Sequence, residues 1–202
     1  MSLIGALTHL GEAPFERRVW VKAVAAYTAC GCISATLVGA CLGFLGGWLG
    51  TRPVNAFGLI VACILGLILA AREWRWIEFP LPQRSRQTEK RWAHQFGFLT
   101  ASALWGFDIG IGFATQMTTG GFWILASVAF VLGSPSYGAL LLVVYWLGRA
   151  STVWSAPALI VRGSDTYDLL EVIDAEWRLI HKIAGVGLVW SAVVTVVLAM
   201  HT

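Results

Sequence analysis

Between Arg91 and Arg149 the chain carries one charged residue, Asp108. More than fifty residues, mostly Trp, Phe, Leu, Val, Gly and Ala, surround that single carboxylate. A domain folded in water needs a polar face, and this stretch is too long and too apolar to supply one. The pattern predicts a chain embedded in a lipid bilayer, with Asp108 at membrane depth. An ionisable group there is costly and is generally paired or functional.

Composition points the same way. The 202 residues are 57% hydrophobic and 12% charged, against about 25% charged residues in soluble domains. Mean hydropathy is +0.72. The 22 glycines and 11 tryptophans suit membrane helices and their interfacial aromatic belts. Net charge is only +3. The basic residues cluster between apolar runs, which is a topology signal and not a nucleic-acid footprint.

A membrane span takes about 20 apolar residues. The expected architecture is all-α: a polytopic membrane helix bundle of about five spans, with interrupted helices, forming a single transmembrane domain over 1–202. The first two spans, about 23–50 and 54–71, make a hairpin turning at Thr51-Arg52-Pro53. Pro53 suits a first helical turn, where its missing N–H is not needed. An interfacial loop rich in Arg and Trp follows, broken by Pro80 and Pro82. The third span, about 95–132, is long and interrupted. A turn at 133–136 then leads to a return helix over about 137–160. A rival arrangement turns instead at 118–121 and leaves Pro135 as a kink. Residues 165–182 read as a cytoplasmic amphipathic helix with acidic first turns, as the helix dipole prefers. A last span covers about 183–200.

Basic residues orient this set. Residues 1–22, the 72–94 loop and the 162–182 loop carry nearly all of them. The positive-inside rule then places the N-terminus in the cytoplasm and, with five spans, the C-terminus outside, in a multi-pass protein of the plasma membrane. The N-terminus lacks the basic and apolar regions of a signal peptide, so residues 1–19 read as a retained cytoplasmic segment.

The candidate polar site consists of Asp108, Arg149, Thr115, Gln116, Thr118 and Thr119. With the turn at 133–136, Asp108 and Arg149 share a level near mid-membrane and are expected to pair. Such a pair is either structural or marks a proton or solute path. Cys41 and Cys63 are symmetric about Arg52 and reach equal depth on adjacent helices, which makes them a possible thiol pair. The simpler alternative is two small buried hydrophobes. Gly39, Gly43 and Gly47, and Gly106, Gly110 and Ala114, recur every four residues and suit close helix packing within the molecule. No metal-ligand spacing, cofactor motif or catalytic constellation is present in the sequence.

One stretch resembles a known family. Gly138-Ala139-Leu140-Leu141-Leu142-Val143-Val144-Tyr145-Trp146-Leu147-Gly148, the Gly133-Ser134 turn and the run Thr36 to Gly43 resemble the transmembrane domain of the cytochrome c biogenesis and thiol:disulfide interchange family, the CcdA/DsbD type. That resemblance implies a helical scaffold that passes reducing equivalents through a cysteine pair. This chain departs from the pattern: Met117 stands where the family has a redox cysteine, and no first helix precedes Arg17.

Three functions follow as expectations. The first is a non-catalytic integral membrane protein on that scaffold: a small-solute carrier or an accessory subunit of an envelope complex. The second is a transmembrane thiol or electron carrier that uses Cys41 and Cys63 and a thioredoxin-like partner, feeding cytochrome c maturation or disulfide reduction. The third is a structural partner docking through its amphipathic helix. The partners expected are the lipid bilayer and membrane-complex subunits.

Overall fold

A computed structural model describes residues 17–49, 56–82, 92–114, 120–160 and 181–190. Every regular element among the described residues is helical. In chain order these are α1 (Arg17–Trp48), α2 (Ala56–Glu73), α3 (Trp92–Phe96), α4 (Phe98–Gly110), α5 (Gly121–Leu132) and α6 (Pro135–Ile160). Residues 181–190 are also helical. The turn at 51–53, residues 115–119, most of the 165–182 segment and residues 191–200 lie outside the described residues.

The helix boundaries have local causes. α1 begins at Arg17, several residues before the apolar run, because Arg and Lys are good helix formers and do not stop a helix. Gly97, at φ 76°, separates α3 from α4. Gly112, at φ 86°, lies just past the end of α4. α5 ends on Gly133 in the left-handed conformation, at φ 58°, the usual glycine C-cap. Ser134 then accepts the N–H of Gly138 at 2.9 Å, and Pro135 opens α6. Both sequence breaks are therefore present: the long 95–132 segment is interrupted before Gly121, and a tight turn follows at 133–134.

The chain divides into two compact units. The first draws on 1–34, 83–116 and 146–177. In it α4 runs alongside α1 in the same direction, with Gly106 on the Tyr27 backbone and Gly110 on Gly31 and Ser34. α6 runs the opposite way, placing Trp146 on Gly31. Indole N–H groups fasten this seam: Trp146 Nε1 donates to the Thr28 carbonyl at 2.9 Å, and Trp154 Nε1 to Thr28 Oγ1 at 3.0 Å.

The second unit draws on 35–82, 117–145 and 178–202. Here Gly39 meets Gly138, Gly43 meets Ser134, and Gly46 meets Phe130, each backbone to backbone with no room for a Cβ. α2 lies antiparallel to α5. Leu59 and Ala62 pack with Val131 at one end, and Leu69 and Ala70 with Ile124 at the other. Of the glycines expected to pack within the molecule, Gly39, Gly43, Gly106 and Gly110 do so.

Large apolar side chains fill the core, among them Leu69, Ile124, Leu142 and Trp146, and others cover the outside. On α1, Ile33, Leu37, Phe44, Leu45 and Trp48 are exposed, and on α2, Ile60, Val61, Ile64, Leu67 and Ile68. α1 is long and apolar enough to cross a membrane: an 18-residue stretch within Arg18–Trp48 has a mean hydropathy of 1.8.

Replacing Gly39 by Leu is expected to force the α1–α6 seam apart. Overpacking costs about 1–3 kcal/mol, and a backbone contact leaves little room to relax. Thermal melts in detergent should show the loss. Gly148→Ala serves as the control: nothing lies within 4 Å of a Cβ there, and removing a helical glycine should stabilise by up to about 1 kcal/mol.

Candidate functional site

α2 ends in an unusual way. Its last residue, Glu73, is an acid at the negative pole of a helix, where the macrodipole disfavours it. Its side chain is nevertheless fully buried, at 0% exposure. A buried carboxylate needs compensating donors, and three elements of the second unit supply them. Arg72 Nη1 donates to Glu73 Oε1 at 3.1 Å. The Gly120 N–H donates to the same oxygen at 3.0 Å. His181 Nδ1 meets Glu73 Oε2.

The Gly120 bond joins two helix ends. Gly120 is the N-cap of α5 and has no side chain to cap with. Glu73 does that work from another helix, at the positive pole of α5, which offsets the cost of its place at the end of α2. Leu69 lies close enough to limit any side chain at position 120.

The surroundings hold the cluster in place. Arg72 Nε donates to the Phe79 carbonyl at 3.0 Å, and its guanidinium lies 5.8 Å from the Phe79 ring centroid. α2 closes with Arg75 in the left-handed conformation, φ 62°, while Arg75 N–H bonds Arg72 O and Trp76 N–H bonds Ala71 O, each at 2.9 Å. That is a Schellman closure built on arginine where glycine is usual. A left-handed non-glycine stores about 1–2 kcal/mol of strain, and such strain clusters at functional sites. Trp74 Nε1 donates to the Lys182 carbonyl at 3.4 Å, and Gly185 lies against the Trp74 indole. Leu69, Ala70, Leu81, Ile124 and Leu188 form the apolar packing of the same unit. Trp123 packs on that cluster, and its buried indole N–H has no acceptor.

The residues proposed from sequence fare differently. Thr115, Gln116, Met117, Thr118 and Thr119 lie outside the described residues. Asp108 and Arg149 are half-buried, belong to the first unit, and are each engaged in interactions. The charge of Arg149 acts on the Tyr27 hydroxyl, a buried group with no hydrogen-bond partner. All four cysteines are free thiols; Cys41 is exposed and Cys63 half-buried. Among the described residues no group of His, Cys, Asp and Glu is arranged to hold a metal ion.

Sequence reasoning missed Glu73 and His181 as a site. The available signal was an acid placed where the helix dipole disfavours it, beside Arg72, at the end of an apolar run. Its partners lie 47 and 108 residues away in sequence, and no periodicity connects them.

No family model matches the chain, and no solved structure does. Two curated relatives are both named methylamine utilization protein MauF. The protein from Paracoccus versutus is 24% identical over 131 residues, 64% of this chain and 48% of its own length. The one from Methylorubrum extorquens is 24% identical over 139 residues, 67% of this chain and 49% of its own. The chain spans about half the length of these relatives.

These matches correct the likeness to the CcdA/DsbD type, which is a different family. The physical reason lies in the seam. Gly39, Gly43 and Gly138, which carried much of that likeness, are positions where helix backbones touch. Any closely packed helical bundle selects small residues there.

Truncating Glu73 to Ala should leave Arg72, His181 and the α5 N-terminus without their acceptor. The expected cost is about 3 kcal/mol, read as a lower melting temperature in detergent, and replacing His181 as well should add little. For Asp108 and Arg149, the expected pairing is checked by a double-mutant cycle with Asp108→Asn and Arg149→Gln. Coupled residues give losses that fail to add.

Proposed function

We propose that the chain is a non-catalytic, multi-pass protein of the plasma membrane that carries a small solute, with its N-terminus in the cytoplasm and its C-terminus outside. The outward-facing Ile, Leu, Val and Phe of α1 and α2 suit a lipid environment, where small residues pack inside and large ones meet acyl chains. Trp20 and Trp48 are 28 residues apart on α1, about 42 Å at helical rise, close to a bilayer with its headgroup regions. The basic-residue pattern of the sequence supports the orientation.

One observation carries the carrier reading: the fully buried Glu73 at the N-terminus of a helix that begins after a break. Carriers use interrupted helices to bring helix ends and ionisable groups together away from water. Capping α5 needs only an acceptor for the Gly120 N–H; the further contacts of Glu73 with Arg72 and His181 go beyond that need. The unpartnered Trp123 indole in the same unit adds a donor for a bound solute.

The MauF matches favour a second reading, an accessory membrane component of amine utilisation. Sealed proteoliposomes holding the purified chain separate the two. Labelled methylammonium is the first solute to test, since both relatives are named for methylamine use. Uptake above empty vesicles that falls at least tenfold in Glu73→Gln supports the carrier. No uptake, together with restored growth on methylamine when the chain replaces MauF in a deletion strain, moves the assignment to the accessory role. Loss of function in Cys41→Ser or Cys63→Ser, with Glu73→Gln active, points to a thiol relay.

A further inference from the structure

Glu73 and His181 are two bases in contact beside a permanent cation. Glu73 is fully buried; the Arg72 and His181 side chains are 22% and 20% exposed. Among the described residues, the elements packed on the cluster bring few other charged groups. α5, Gly121–Leu132, has no ionisable side chain and offers the Gly120 N–H and its dipole. The strand of chain after α2 offers the Phe79 carbonyl to Arg72, while Arg75 and Glu78 are exposed. The 181–190 helix offers His181, and Lys182 turns its carbonyl to Trp74.

With Glu73 ionised and His181 neutral, Arg72 balances the charge of the cluster. One added proton takes it to a net single positive charge. Glu73 is fully buried and touches His181, so the two bases are placed to share that proton. Without Glu73, an imidazolium at position 181 loses the carboxylate it touches. Without His181, Glu73 keeps its ion pair with Arg72.

We propose that Glu73 and His181 together form a binding site for one exchangeable proton. The bond made is N–H or O–H on one member of the pair, with hydronium as donor and water as the product released. The proton's use as the coupling ion rests on the carrier reading above; its binding does not.

The test counts protons taken up by the purified full chain in detergent between about pH 8 and about pH 5, the range where imidazoles change charge. Glu73→Gln and His181→Gln should each remove the same one proton, and the double variant should remove no more. Independent titration predicts that Glu73→Gln removes none there, which would overturn the proposal. Helical content by circular dichroism verifies each variant. Arg72→Gln gives an arm that does not depend on Glu73→Gln folding: removing the fixed positive charge should tighten proton binding about tenfold, moving half-uptake about one pH unit higher. An unchanged midpoint would overturn the shared site. Uptake is read without transport, so a chain that binds the shared proton but moves no solute keeps the site and removes the carrier. A chain that moves solute while the two losses add does the reverse.

Discussion

Backbone contact at Gly39 and Gly138 sets the terms for the second unit. Where α1 and α6 approach that closely, no side chain fits between the two backbones. Gly43 against Ser134 and Gly46 against Phe130 extend the same seam for two more turns. Ile33, Leu37, Phe44 and Leu45 of α1 are left on the outside. In the first unit, Gly31, Gly106 and Gly110 do the same work with Trp146, Tyr27 and Ser34. Tryptophan adds what glycine cannot: its N–H groups reach the Thr28 carbonyl and hydroxyl across the seam. Packing density and polar satisfaction are met by different residues at the same contact.

The Glu73 cluster solves a second problem created by the broken segment. A helix that starts inside a protein must find acceptors for its first N–H groups. α5 starts at a glycine pair and carries no capping side chain of its own. Glu73 provides the acceptor from a different helix. The carboxylate, disfavoured at the end of α2, becomes favourable at the beginning of α5. Arg72 and His181 then offset the remaining desolvation. A buried ionic group kept at that cost, beside a left-handed Arg75, is the arrangement expected of a site with a function.

The likeness to the thiol:disulfide interchange family illustrates how packing can resemble descent. Its matching positions were small or aliphatic, and the structure assigns several of them to helix contacts. The residue that would have carried redox chemistry is Met117. The matches to MauF extend over about two thirds of the chain.

What the sequence alone determined was the helical class, the break within 95–132 and the turn at Gly133-Ser134-Pro135. These features are local: apolar run length, a left-handed glycine and a proline at the first turn act within a few residues. The close-packing role of Gly39, Gly43, Gly106 and Gly110 was legible for the same reason, because a four-residue spacing aligns side chains on one helix face. The tertiary structure alone decided which helices those glycines meet. It also decided that Glu73, one of several charged residues after Ala71, is buried while its neighbour Arg75 is exposed. Burial at a helix end depends on which segments fold over it. Here those segments are Gly120 and His181, brought from far along the chain by contacts that no local pattern encodes.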